Sequence, residues 1–241
     1  MNLLLLNPDD FVSSSVAIIR DVRRCEHIQQ IQQAQIGDQL KIGALNGLMG
    51  KGKITHIEKS DSGLHIELEC ELTQTSPAAL PLTLVMALPR PKMFRRVLQT
   101  LSSLGIKSVY FIHSYRVEKS YWQSPFLNAD DVHHQLILGL EQSCDTQLPE
   151  VHFKNRFKPF VEDELPEIIK NKTALVAHPY TETPCPMSFN QPLVLAIGPE
   201  GGFISYEIDL LKQQGFEAVH LGERILRVET ALPFLVGRLF G

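Results

Sequence analysis

The chain has 241 residues with a formal net charge of −4 and an isoelectric point near 6.1; 44% of the residues are hydrophobic and 21% charged. That is the composition of a soluble protein with a substantial core, and it excludes a global positive field that would draw the whole molecule to nucleic acid. The four cysteines, Cys25, Cys70, Cys144 and Cys185, contain no C-x-x-C pair, and His133-His134 lacks the spacing that sets two imidazoles around one ion, which argues against a disulfide framework, a zinc cluster and any metal site.

The apolar opening MNLLLLNPDDF is too short for a membrane span and lacks a basic leader with a small-residue cleavage site, so it reads as the first strand of a cytoplasmic protein. At 64–71, LHIELECE alternates Leu64, Ile66, Leu68 and Cys70 with His65, Glu67, Glu69 and Glu71, the period of a half-buried strand. With DQLKIGAL and KGKITHIEK before it, and the turns NGLMG and SDSG, it predicts a small β-barrel over residues 1–74. The polar, proline-containing TQTSPAALP at 73–81 reads as a domain boundary, with a second domain over 80–241.

From residue 82 the pattern becomes α/β. LTLVMAL is an unalternated apolar run, as expected of a strand covered on both faces, and a helix follows with Met93, Val97, Leu101 and Leu104 on one side and Gly105 at its end. Further strands are predicted at KSVYFIH, TALVAH, PLVLAI and EAVHL. Helices are predicted near 130–143, from Ser205 to about Gln214, and from about Thr230, with Pro233 in the first turn of the last. Ligands of parallel α/β sheets bind beyond the carboxyl ends of strands, so HPYTETPCP, GPEGGF and GERILRVET are the candidate ligand loops.

In GPEGGF, Gly201 and Gly202 remove Cβ atoms, which suits the approach of a flat ligand to the backbone; it equally suits a structural turn. The loop is neither a dinucleotide fingerprint nor a phosphate loop. In GERILRVET, Glu223, Arg224, Arg227 and Glu229 surround Ile225 and Leu226, and charges buried beside apolar residues need partners or a task. Three basic clusters offer local contacts to nucleic-acid phosphates or are plain solvated faces: Arg20, Arg23 and Arg24; Arg90, Lys92, Arg95 and Arg96; Lys154, Arg156 and Lys158.

The stretch LAIGPEGGF…EIDLLKQQGFEAVHLGERILRVETA closely resembles the carboxy-terminal signature of the 16S ribosomal RNA uridine-N3 methyltransferases, within the knotted SPOUT methyltransferases. The HP at 178–179 and EQSCDTQLPEV at 141–151 support it. The resemblance implies an amino-terminal PUA-like RNA-binding barrel, a deep trefoil knot in the α/β domain, a homodimer, and S-adenosylmethionine as methyl donor. It places the cofactor against His178, Pro179, Gly198, Glu200, Gly201, Gly202, Leu221, Gly222, Ile225 and Leu226. Uracil N3 becomes nucleophilic only as its proton leaves and charge spreads onto O2 and O4. Arg227 is therefore expected to stabilise that charge, with Glu229 or Glu200 taking the proton or holding the arginine, and Thr230 capping the helix or bonding the base. A structural ion pair between Arg227 and Glu229 is the competing role. Arg20, Arg23, Arg24, Arg90 and Lys92 are the expected RNA contacts. Two alternatives stay open: a SPOUT enzyme acting on a different RNA, and a non-catalytic RNA-binding or assembly protein that keeps the fold.

Overall fold

In the computed structural model, which describes residues 1–60 and 63–241, the chain divides into two compact units. The first comprises Met1–Ala78 with Ile137–Leu148, the second Ala79–Leu136 with Pro149–Gly241. Asp61 and Ser62 of the predicted SDSG turn lie outside the described residues.

The first unit holds a six-stranded sheet built from β1 (Leu4–Leu6), β2 (Phe11–Ser13), β3 (Val16–Ile19), β4 (Gln39–Ala44), β5 (Met49–Ser60) and β6 (Gly63–Gln74). Its order is β1-β4-β5-β6-β3-β2; β1 runs parallel to β4 and the other pairings are antiparallel. A short helix, α1 (Val22–Glu26), continues into a π-helical turn at His27–Ile31. The alternation of β6 appears as Ile66, Leu68 and Cys70 packed in one core with Ile19, Ile42 and Ile54. The unbroken leucine run of the opening has a different cause. Leu4 and Leu6 enter that core, whereas Leu3 and Leu5 enter a second one with Met49, Ile137 and Leu140, so both faces of the strand are covered.

The second unit is a wholly parallel six-stranded sheet: β7 (Leu82–Ala87), β8 (Ser108–Ile112), β9 (Glu150–Lys154), β10 (Thr173–Ala177), β11 (Leu193–Ile197) and β12 (Glu217–Val219), in the order β12-β10-β11-β7-β8-β9. Every residue of β7 and β11 is buried, as their unalternated apolar sequences require of central parallel strands. The unit's helices are α2 (Pro91–Ser103), the part of α3 (Ala129–Ser143) up to Leu136, α4 (Phe157–Pro159), α5 (Leu165–Ile169), α6 (Ser205–Gln213) and α7 (Val228–Phe240), the rest of α3 belonging to the first unit. α2 buries Phe94, Val97, Leu98 and Leu101, a stripe at helical spacing shifted by one residue from the predicted Met93 start. The β9 strand and the helical residues from Phe157 to Ile169 have no counterpart among the predicted elements.

Two features prepare the site. Neighbouring parallel strands are usually joined through a crossover helix, yet residues 178–192 between β10 and β11 contain none. This segment is stitched down instead. Cys185 N–H donates to His220 O at 2.8 Å, His220 N–H donates to Thr183 O at 2.9 Å, and Arg238 Nε donates to Cys185 O at 2.7 Å. The second feature is the start of α7 at Val228 rather than Thr230. Arg227 is extended at the cap, and its carbonyl accepts the N–H groups of Thr230 (3.0 Å) and Ala231 (2.8 Å). Thr230 therefore sits inside the first turn and does not cap the helix. Pro233 falls in the helix interior, where its missing N–H leaves the Glu229 carbonyl without its usual donor.

Candidate active site

Because all strands of the second sheet are parallel, their carboxyl ends share one edge, and the ends of β10, β11 and β12 stand side by side there. The loops leaving these three strands enclose one pocket. Its walls include His178 and Pro179 after β10, Gly198 to Phe203 after β11, and Leu221, Gly222 and Arg224 to Leu226 after β12. All ten residues expected to surround a cofactor line it: His178, Pro179, Gly198, Glu200, Gly201, Gly202, Leu221, Gly222, Ile225 and Leu226.

The glycines of this loop also answer demands of the chain itself. A methyl group on Gly198 would lie 2.9 Å from the backbone nitrogen of Phe203, so the loop folds back on itself only because that carbon is absent. Gly202 has φ +73° and closes the turn with its N–H donating to Pro199 O at 2.7 Å. Gly201 lies beneath another side chain. A methyl there would lie 2.9 Å from Cδ of Arg116, whose stem crosses the loop and whose Nη1 donates to the Gly201 carbonyl.

Arg116 is not among the residues the sequence assigns to the site. It comes from the loop after β8 and is anchored by Glu207, a carboxylate only 3% exposed. Glu207 Oε1 accepts Tyr115 N–H at 2.7 Å, and Oε2 accepts Ile204 N–H at 3.0 Å, which ties the β8 loop to the GPEGGF loop. Tyr180, Phe203, Val219, His220 and Ala231 also line the pocket without a sequence expectation.

The 222–227 segment is exposed apart from half-buried Leu226, with Ile225 67% exposed, so the expectation of charges buried around an apolar pair is corrected. Among the described residues, the N–H groups of Leu221, Ile225 and Leu226 find no acceptor within the chain. Glu200 accepts the backbone N–H of Arg90 at 3.2 Å and lies 4.0 Å from Arg90 Nε. Arg227 is exposed at the cap of α7, beside partly buried Glu229 and exposed Thr230; none of the three is in the pocket wall. No ion pair joins Arg227 to Glu229 among the described residues. Burial, with a smaller contribution from Lys212, pushes the His178 imidazole below its ordinary value, so it meets the pocket uncharged at neutral pH.

The expected RNA contacts separate into two kinds. Arg24 is 6% exposed; its guanidinium donates to Asp10 at 2.7 and 3.0 Å and to the Leu5 carbonyl at 3.0 Å. It is withdrawn from any phosphate. Arg23 makes a two-pronged bond to Glu141 at 2.7 and 3.1 Å, and that carboxylate is itself 2% exposed. Arg20, Arg90 and Lys92 remain exposed. Among the described residues, no group of three or more His, Cys, Asp or Glu gathers as it would around a metal, and no helix is long and apolar enough to cross a membrane.

Residues 76–239 match the family model of the RNA methyltransferase domain. The chain is 33% identical over 237 residues to ribosomal RNA small subunit methyltransferase E of Treponema pallidum (strain Nichols), covering 96% of this chain and 87% of that protein. It is 26% identical to ribosomal RNA small subunit methyltransferase E 1 of Borreliella burgdorferi, covering 96% and 94% of the two chains. In fold it is similar to the ribosomal RNA small subunit methyltransferase E of Neisseria gonorrhoeae crystallised bound to S-adenosyl methionine, with a TM-score of 0.72, 20% identity, and 98% and 95% of the two chains covered.

Proposed function

The chain belongs to the ribosomal RNA small subunit methyltransferase E family of RNA methyltransferases, and from that premise we propose that it transfers a methyl group from S-adenosylmethionine to N3 of a uridine in 16S ribosomal RNA. The observation that carries this is the pocket: ten residues from three separate loops, expected from the sequence to hold one cofactor, line a single cavity at the carboxyl edge of the parallel sheet.

The pocket suits the group. Ile197, Val219, Leu221, Leu226 and Ala231 offer apolar surface to an adenine and ribose, and the unpaired N–H groups of Leu221, Ile225 and Leu226 offer donors at their margin. When bound, S-adenosylmethionine supplies a methyl group already activated by its sulfonium charge. The protein's task is then to orient the acceptor and accommodate charge. Neutral His178 adds no positive charge beside a cationic donor. We assign to Arg227 the stabilisation of negative charge on the uracil oxygens as the N3 proton leaves. Its guanidinium is exposed and unpaired with Glu229, which leaves it available to a substrate. Glu229 or Glu200 takes the proton, and Thr230, in the first turn of α7, bonds the base.

The finer architecture belongs to the same reading. The helix-free 178–192 segment, bonded to His220 and Arg238, is the part of the chain we assign to a trefoil knot. The first unit is assigned as the PUA-like RNA-binding barrel, and the active enzyme as a homodimer.

The test is primer extension on ribosomal RNA from a deletion strain, because methylation at N3 blocks the pairing edge of the base. One strong stop present in wild type disappears on deletion and returns with the gene. Complementation with Arg227→Ala leaves it absent, although the purified variant still binds S-adenosylmethionine in calorimetry. Survival of every stop in the deletion strain overturns the assignment.

A further inference from the structure

Arg116 is placed with more care than a surface arginine needs. Its loop is fixed by buried Glu207 through Tyr115 N–H, its stem lies over the carbon that Gly201 lacks, and one of its N–H groups is bonded to the Gly201 carbonyl. The remaining guanidinium donors stay exposed at the pocket wall. Arg224 lines the same pocket, whereas Glu200, the one acidic side chain in its wall among the described residues, already faces Arg90. A cationic rim cannot serve a sulfonium, which it repels. It serves an anion. A guanidinium held at one end by a backbone carbonyl and open at the other is suited to a phosphate oxygen.

We propose that Arg116 is a substrate-positioning residue that binds an RNA backbone phosphate beside the methyl-donor pocket, and that Glu207 is the buried residue that sets its position. The inference rests on the function proposed above. The cofactor also carries a carboxylate, but a bond to that group would make Arg116 a determinant of cofactor affinity rather than of RNA binding, and the two are separable.

The experiment uses the full-length protein, tritiated S-adenosylmethionine, and two probes: 16S RNA transcribed in vitro, and small ribosomal subunits from the deletion strain. Binding and methylation are measured over a range of salt concentrations for wild type, Arg116→Gln, Arg116→Lys and Glu207→Gln. A lost phosphate contact makes the slope of log affinity against log salt shallower by about 0.7–0.9 in Arg116→Gln. The Lys variant keeps the charge and retains the wild-type slope. Glu207→Gln keeps the charge of Arg116 but loosens the loop, so KM for RNA rises while the salt slope changes less than in Arg116→Gln. Calorimetry with S-adenosylmethionine gives wild-type affinity in the Arg116→Gln protein. An unchanged slope in an active Arg116→Gln enzyme overturns the inference alone, as does a loss of cofactor affinity with RNA binding intact, which assigns the arginine to the cofactor carboxylate. A wild-type protein that methylates neither probe overturns the functional reading and this inference with it.

Discussion

The arginines of the first unit resemble in sequence those around the pocket of the other unit, and the two sets end in opposite situations. Arg23 and Arg24 sit in a run that reads as an RNA-binding patch, yet each guanidinium is bound by a carboxylate with little exposure. Arg224 and Arg227 sit in a run that reads as partly buried, yet both are exposed. The difference lies in the partner. A buried guanidinium is tolerated where a carboxylate meets it with two bonds, as Asp10 meets Arg24, and such a pair fixes structure rather than recruiting ligand. Where no carboxylate arrives, the charge stays in solvent and is available to an anion. The presence of arginine in a loop says little; the geometry of the nearest carboxylate decides its role.

The largest effect that tests this contrast is on stability. Arg24→Ala leaves Asp10 buried without its partner and is expected to lower the unfolding free energy by about 3 kcal/mol or more, read by urea denaturation. Arg23→Ala costs less, because its own side chain is 39% exposed although Glu141 is not. Arg20→Ala leaves stability unchanged within about 0.5 kcal/mol, and any RNA-binding loss among the three should be confined to it. Equal stability of the Arg20 and Arg24 variants would break the comparison. In the second unit the sharpest test is steric. Gly198→Ala puts a methyl 2.9 Å from the Phe203 backbone nitrogen, where no flexible side-chain end can yield. The GPEGGF loop must shift, at a cost of about 1–3 kcal/mol, seen in calorimetry as a roughly tenfold to hundredfold loss of S-adenosylmethionine affinity.

Much of this is legible in the sequence, for a local reason. The three ligand loops announce themselves because each directly follows a strand, and a parallel sheet brings those strand ends to one edge whatever the side chains do. The alternation in β6 and the apolar runs of β7 and β11 likewise carry their burial in neighbouring residues. What escapes reading depends on distant pairings. Arg116 meets Gly201 across 85 residues, and Arg23 meets Glu141 across 118. No periodicity encodes those separations. The sequence puts the start of α7 too late because threonine is a common cap, whereas the cap position here falls to Arg227, whose extended backbone starts the helix without a side-chain cap bond. One signal for Arg116 is present: two tandem glycines, of which only Gly202 has a positive φ, leave Gly201 bare for another reason, and a crossing side chain is one.

The smallest expected effect is a pH dependence in the second unit, where stability and cofactor binding respond to the same imidazole at different pH. Burial holds the folded His178 below its ordinary value of 6.5, so the unfolded chain takes up the proton first as pH falls. Between 6.5 and the lowered folded value the unfolded state binds more protons, and His178 makes stability decline with falling pH through that window, with no further change below it. Cofactor affinity responds to the folded group alone. It should therefore stay level through the upper part of the window and weaken only once folded His178 itself becomes charged, when an imidazolium in the pocket wall faces a sulfonium at a cost of about 1 kcal/mol. The onset of destabilisation thus lies at higher pH than the onset of weakened binding. Thermal unfolding and calorimetry between about pH 5 and pH 8, each taken as the difference between wild type and His178→Gln to remove the other histidines, display both onsets. Binding that weakens at or above the pH where stability first declines would place the proton on His178 already in the folded pocket, and the neutral imidazole beside the methyl donor would have to be abandoned.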